Sequence, residues 1–350
     1  MITQQYQGLF DDKELYVFNL VNGAVEVAVT NLGCIVLSVY TPDRNGVRKN
    51  IVASFKTIDE YRNNKEFFGC VVGRYTNRIA NGRFTVDDIT YQLELNDGVN
   101  NLHGGREGFD KKIWNVKRII DHETECGVEF SYFSKDGEEG FPGNLKVSVT
   151  YLLNTKNELT IHYKATTDKA TPVSLTNHSY FNLTGFENES VLSHSLHIYS
   201  SEYTEKNTQN QPTGNFIKVD NTVFDFRCSK KIGTDMNDVA LKMDRGYDHN
   251  FVLKHNHSVE LVQAATLADD ETGRAIDIFT TAPGIQLYTA NFWDGSITGL
   301  QDKIYRKHSA VALETQSFPD SPNHPHFPDT ILKPGEEYQS ITIYAFRLQS

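Results

Sequence analysis

The sequence is poor in the features that would tie it to nucleic acid, to a membrane or to a disulfide scaffold. Basic residues are in deficit: 34 Lys and Arg stand against 45 Asp and Glu, a net charge of −11 over 350 residues. Such a surface repels phosphate backbones and anionic lipid, and no long basic run offsets it. Nucleic acid and membrane are therefore excluded as expected partners. No apolar run approaches the ~20 residues of a spanning helix. The opening MITQQYQGLFDDKELYVF lacks the basic-then-apolar pattern of a secretion signal. Four cysteines, Cys34, Cys70, Cys126 and Cys228, lie far apart with no C-x-x-C pair, which argues for reduced thiols in the cytoplasm rather than disulfides or zinc. Ser/Gly- or Pro-rich linkers, fixed-period repeats and low-complexity tracts are missing too. Nothing divides the chain, so residues 1–350 read as a single domain.

What the sequence has is alternation. Hydrophobic residues make up 39% and aromatic residues 11%, enough for a substantial core. AVEVAVT, Ala24 to Thr30, puts Val25, Val27 and Val29 on one face. LTIHYKA does the same with Leu159, Ile161, Tyr163 and Ala165. FTVDDITYQLEL, Phe84 to Leu95, holds two alternating runs around Asp87-Asp88, the mark of a hairpin. Helical patterns are few and short, at 57–64 and 235–245. The expected fold class is all-β: one large antiparallel β-sandwich with a few short helices, a two-domain β protein being the alternative.

Polar groups interrupt this alternation in telling places. In TNHSYFNL, Thr176 to Leu183, a continuous strand would align Ser174, Thr176, His178, Tyr180 and Asn182 on one face. A row of hydrogen-bonding groups is costly to bury unless each is paired or the face lines a wet cavity. In SAVALETQ, Ser309 to Gln316, two small residues precede Glu314 on one face. A carboxylate in an apolar strand is either ion-paired or functional. GRYTNRI, Gly73 to Ile79, offers the planar fork of Arg78, although a surface arginine is the ordinary reading of such a stretch. NLHGG, Asn101 to Gly105, follows His103 with two glycines that allow a tight turn and a close approach by a ligand. GYDHNF places Asp248 at the head of an apolar strand, where a turn aspartate is the ordinary reading. PGIQLYTAN puts Gln286 and Tyr288 on one strand face.

Taken together and in order, these stretches resemble the aldose 1-epimerase family: G-R-x-x-N-R-I, N-L-H-G-G, K-D-G-E-E-G-F-P-G-N-L from Lys135 to Leu145, T-N-H-S-Y-F-N-L, G-x-D-H-N-F and L-E-T-Q. The resemblance spans nearly the whole chain. It implies a galactose mutarotase-like β-sandwich that interconverts the α and β anomers of free aldoses, galactose or glucose first and a disaccharide such as maltose as the alternative. It implies Glu314 as general base and His178 as general acid. Asn77, Arg78, His103, Asp248 and Gln286 would bind sugar oxygens, with Tyr180 beside them. It calls for no cofactor and no metal, only a small-molecule aldose partner, and leaves monomer and homodimer both open. Two carboxylates, Glu314 and Asp248, keep a glycoside hydrolase in view, although such enzymes work with a carboxylate pair rather than a His–Glu pair. A non-catalytic sugar-binding protein on the same fold is the third reading. The pairs His255-x-His257 and His324-x-His326 are tempting as metal ligands but lack a third partner, and PNHPHFP reads as a rigid exposed loop.

Overall fold

The alternating runs become strands that find partners close by in sequence. The computed structural model describes residues 1–255 and 260–349. The first five strands, Ile2–Phe10, Lys13–Asn22, Val25–Thr30, Val36–Pro42 and Arg48–Asn50, pair in chain order as an antiparallel meander. Arg83–Val86 and Ile89–Gln92 form the hairpin expected around Asp87-Asp88. Both aspartates adopt left-handed backbone, φ 50° and 60°, as a two-residue hairpin turn requires.

Two larger antiparallel sheets stack to make the sandwich. A nine-stranded sheet carries the long strands Glu125–Ser134, Leu145–Asn154, Glu158–Thr167 and Tyr338–Leu348. A six-stranded sheet runs in the order Tyr180–Phe181, Val311–Gln316, Gly284–Tyr288, Asp248–Val252, Glu202–Lys206, Pro212–Lys218. The period of two gives the six-stranded sheet two distinct faces. Val311, Leu313, Ile285, Leu287, Phe251 and Phe181 point into the large core shared with Ile161, Tyr163, Ile276, Ile278 and Tyr344 of the nine-stranded sheet. The rings of Phe181 and Tyr344 meet at 5.3 Å, and the hydroxyls of Thr315 and Thr342 share a 2.5 Å hydrogen bond across the gap. The outward face carries Ala310, Ala312 and Tyr180, packed with Phe68, Trp293 and Tyr305 in a second cluster.

Two expectations need correction. TNHSYFNL is not one strand. Thr176–Asn177 pairs with Val71 and Val72, Tyr180–Phe181 pairs with Val311 and Ala312, and the chain breaks step between them. Asn177 makes the break, because its side-chain oxygen accepts from both the Ser179 N–H, 3.1 Å, and the Ser179 hydroxyl, 2.6 Å, a local bond that competes with ladder pairing. All eight residues of the stretch are buried. The segment 235–245 is not a continuous helix either: short 3₁₀ turns at Ile232–Asp235 and Val239–Leu241 flank Asp238, whose side chain caps the second by accepting from the Ala240 N–H. The pattern at 57–64 is a 3₁₀ helix over Ile58–Asn63. His257 lies outside the described residues, and no described helix is long and apolar enough to cross a membrane.

Leu313→Ala empties a site in the core between the sheets and is expected to cost about 2–5 kcal/mol of stability. Urea unfolding read by tryptophan fluorescence measures it, and a loss below about 1 kcal/mol would show that the inward face is not tightly packed.

Candidate active site

The outward face of the six-stranded sheet holds a row of polar residues where the alanines leave room. Gln286 and Glu314 are direct cross-strand partners, as are Asp248 and Tyr288. Tyr180 faces Ala312. Loops complete the enclosure, so that Asn77, Arg78, His103, His178, Tyr180, Asp248, Gln286 and Glu314 all line one cavity of about 170 Å³. The structure thus brings together every one of the eight residues named from the sequence. A larger hollow, about 920 Å³, lies elsewhere, on the outer face of the nine-stranded sheet. There the charges pair across strands, as Lys117 does with Glu129 at 2.6 Å, and nothing converges on a single point.

The floor of the cavity is the pair His178 and Glu314. The imidazole Nε2 stands 3.5 Å from the Glu314 carboxylate, with side-chain exposures of only 5% and 2%. Dehydration disfavours charge on both. Burial, with Asp248 adding and Arg78 opposing, pushes the Glu314 carboxyl up to about 8. Burial brings His178 down to about 4, against the upward pull of its backbone bonding and of Asp248. Three buried polar atoms at this spot, His178 Nδ1, Glu314 Oε2 and Gln286 Oε1, have no partner among the described residues. Buried groups of this kind are normally paired, so this cluster is built for something that supplies hydrogen bonds.

His103 and Asn77 hold one another. The Asn77 N–H donates to His103 Nδ1 at 3.2 Å, and the His103 N–H donates to the Asn77 carbonyl at 3.1 Å. Both residues adopt left-handed backbone, φ 64° and 55°. The accepted bond at Nδ1 puts the proton of the neutral ring on Nε2, making it a donor. Burial, then His178 and Arg78, hold His103 well below the usual histidine range. The two glycines after His103 serve packing of the chain on itself, not the approach of a ligand as expected. A Cβ on Gly104 would lie 2.0 Å from the Gly73 carbonyl oxygen, and one on Gly105 would lie 2.0 Å from the Glu139 carboxylate.

The wall beside this floor is ionic. Arg78 is not a surface arginine: its side chain is 14% exposed, 2.7 Å from Asp97 and 4.0 Å from Asp248. Gln286 donates to Asp248 Oδ1 at 2.6 Å. Burial alone would raise the Asp248 carboxyl, but Lys206 and Arg78, helped by His249 and Gln286, bring it down to about 2. Sequence reasoning missed Lys206. It reaches from the end of the Glu202–Lys206 strand to within 2.9 Å of Asp244 and 3.6 Å of Asp248. EYTEK carries no motif, and its one clue is that Lys206 shares a strand face with buried Thr204. Phe67, whose ring sits 4.7 Å from His103 and 6.0 Å from His178, was missed for the same reason.

The cluster also has the outline of a metal centre. His103, His178 and Glu314 present ligand atoms within 4.8 Å of one another, the ligand number of a catalytic zinc site. They do not fit one. With Nδ1 of His103 accepting a backbone hydrogen bond, the nitrogen left for a metal carries the proton. The other histidine pair is structural: His326 Nε2 lies 2.6 Å from the Gly214 carbonyl, His324 Nε2 lies 3.4 Å from Asp320, and both rings pack on Phe327. Arg74 is tied to Ser134 and to Lys135 and Pro142 of the KDGEEGFPGNL segment, and it is not among the residues lining the cavity.

Comparison with known proteins finds the same pattern over the length of the chain. The profile of the family described as Aldose 1-epimerase matches residues 16–345. The chain is 41% identical over 329 residues to the galactose mutarotases of Sus scrofa and Homo sapiens, covering 94% of this chain and 93% of each relative. It is 39% identical over 328 residues to the aldose 1-epimerase of Escherichia coli K12, covering 93% of both. Among solved structures, an aldose epimerase homologue from C. elegans superposes with a TM-score of 0.86 at 31% identity, covering 95% of this chain and 98% of that one. A galactose 1-epimerase from Lactobacillus acidophilus superposes with 0.89 at 28% identity, covering 100% and 99%.

The raised Glu314 carboxyl has a stability consequence with a definite sign. The folded protein keeps this proton up to about 8, while an unfolded glutamic acid loses it near 4.5. As pH rises through that window the unfolded state gains, and the cost is complete above about 8. Glu314→Gln removes it, so the variant should melt roughly 5 °C or more above wild type at pH 9 and close to wild type at pH 4. A pH-independent difference in melting temperature would contradict the buried, proton-retaining carboxyl.

Proposed function

The chain belongs to the aldose 1-epimerase family and is an enzyme of that class, interconverting the α and β anomers of free aldoses; we propose that Glu314 and His178 carry its two proton transfers. The observation that carries this reading is the buried 3.5 Å pairing of the two groups at the floor of a cavity lined with hydrogen-bonding residues.

The reaction needs one proton on the pair. Between about 4 and 8 the burial-shifted groups hold one, on the carboxyl of the empty pocket. Sugar hydroxyls donating to the carboxylate favour its ionised form and the proton passes to the imidazole. Glu314 then takes the proton of the C1 hydroxyl, the C1–O5 bond breaks as the C1 carbonyl forms, and His178 delivers its proton to O5. After rotation about C1–C2 the steps reverse: O5 returns its proton to His178 as it attacks the opposite carbonyl face, and Glu314 protonates O1. Each positioned group contributes about 10²–10⁴-fold. The Nε2–H of His103 and the guanidinium of Arg78 steady negative charge on oxygen. Asp248 accepts from sugar hydroxyls and Gln286 offers its free oxygen, while Asn77 holds His103 and Tyr180 packs against His178 at 4.8 Å.

The electrostatics favour an unphosphorylated sugar. Arg78 lines the cavity but is engaged by Asp97 and Asp248, Lys206 behind it is engaged by Asp244 and Asp248, and Lys65 stands beside the Glu66 carboxylate. The volume of about 170 Å³ is below the ~300–1,000 Å³ of pockets for larger ligands, which favours a monosaccharide such as galactose or glucose over maltose. Glu314 has a histidine rather than a second carboxylate 3.5 Å away, and Asp248 is engaged by Gln286, Arg78 and Lys206, which favours proton exchange over the carboxylate-pair scheme of a hydrolase. One domain over residues 1–350 and residence in the cytoplasm belong to the same proposal. The largest core cluster draws on residues from Phe18 to Phe346, and all four cysteines are free.

His178→Gln and Glu314→Gln should each lower kcat for anomer exchange about 10²–10⁴-fold, followed as the decay of optical rotation of freshly dissolved α-galactose. Near-wild-type rates in either variant refute the assignment. Corrected for the uncatalysed reaction, wild-type kcat/KM should form a bell. Its acid limb, near 4, marks a second proton on the pair, and its basic limb, near 8, marks loss of the last one. Enzymatic activity still rising above pH 9 would sink the shared-proton mechanism.

A further inference from the structure

The mouth of the cavity carries a carboxylate that the proton transfers do not use. Glu66 lines the cavity with its neighbours Lys65 and Phe67 and with Tyr288 and Phe292. Its Oε2 accepts a hydrogen bond from the Trp293 indole N–H at 2.8 Å. The indole is 3% exposed and wedged among Phe68, Tyr180 and Tyr305, at ring distances of 5.2, 4.8 and 5.5 Å. A ring so confined cannot swing, and the bond therefore fixes the direction of the carboxylate. Among the described residues Trp293 is its one hydrogen-bond partner, which leaves Oε1 without a protein donor. Burial, with Asp294 adding and Trp293 and Lys65 opposing, raises the Glu66 carboxyl. Glu66 is half-buried, so Oε1 is open to water and to a ligand hydroxyl that takes the water's place. Glu66 stands on the aromatic side of the cavity, where burial first, and its charge after that, raise the hydroxyls of Tyr180 and Tyr288. It is thus separate from the Arg78–Lys206–Gln286 cradle that holds Asp248.

We propose that Glu66 is a specificity-determining residue of this epimerase: its free oxygen accepts a hydrogen bond from one hydroxyl of the bound aldose and ranks sugars by whether they present it. The inference rests on the reading of the cavity as the sugar site. Aldoses differ chiefly in the configuration of single hydroxyls, and a site that hydrogen-bonds a hydroxyl rejects the sugar lacking it far more strongly than an apolar pocket rejects a misfit. Anchoring by a buried indole is what such discrimination needs, because a floppy carboxylate would follow the hydroxyl to either configuration.

The test compares kcat and KM for galactose, glucose and the 2-, 3-, 4- and 6-deoxygalactoses in wild type, Glu66→Ala and Glu66→Gln. Glu66→Ala should raise KM for galactose about 10-fold or more with kcat within about twofold. Glu66→Gln keeps an acceptor for Trp293, so it carries the test if the alanine variant does not fold; its KM rise should be smaller. One deoxy sugar, the one lacking the hydroxyl read by Glu66, should be indifferent to either change. A KM unchanged in the variants, or a loss of equal proportion on every sugar including all the deoxy ones, overturns the proposal. Wild type failing to speed anomer exchange of any sugar would instead strike the sugar reading itself, which keeps the two failures apart.

Discussion

Dehydration of one carboxyl governs this molecule. Glu314 sits in an apolar strand behind two alanines, 2% exposed, with one oxygen unpaired and a histidine 3.5 Å from the other. In water its proton would be gone by neutral pH; here burial retains it. The same dryness keeps His178 from charging alone. Two groups that each resist charge therefore share a single proton, which is the inventory an anomer exchange consumes and returns. The neighbouring charges are kept from disturbing that balance by being neutralised locally: Asp248 by Lys206 and Arg78, and Arg78 by Asp97 in turn.

The sandwich makes this dryness possible and also opens it. Strands of the six-stranded sheet turn Val311, Leu313, Ile285 and Leu287 into the core and so lose all freedom to shift register. Their opposite faces then hold Glu314, Gln286 and Tyr288 at fixed spacing, on strands rather than on loops. The arms that close over them come from turns in left-handed backbone, at Phe67, Asn77 and His103. Gly104 permits one close contact, against the Gly73 carbonyl. On the proposed reading, a rigid floor with loop-borne walls lets the proton chemistry stay constant while the walls select the sugar, with Glu66 among them.

Much of this was legible in the residues. Alternation in AVEVAVT, LTIHYKA and VALETQ gave strands and their faces, because side-chain direction along a strand is a local property of the backbone. The type of residue exposed by that alternation marked Glu314 and His178. Local rules failed where a side chain competed with the ladder, as Asn177 does by holding Ser179 between the two short strands, and where Asp238 capped a turn inside an apparent helix. They also misjudged Arg78, since nothing in GRYTNRI announces Asp97 or Asp248 as its partners. Lys206 and Glu66 carry no motif, and each acquires its meaning from one contact with a residue distant in the chain.

The sequence by itself settled the strand-rich architecture, the likeness to the aldose 1-epimerases and the eight residues that meet in one cavity. Only the tertiary structure decided where the shared proton rests, which charges hold Asp248, why His103 is a donor rather than a metal ligand, and that Trp293 aims Glu66 at the mouth. The division has a physical cause. Periodicity, turn chemistry and residue type are carried by neighbours along the chain. Dehydration and Coulomb forces depend on distances through space, and those exist only once the sheets have packed.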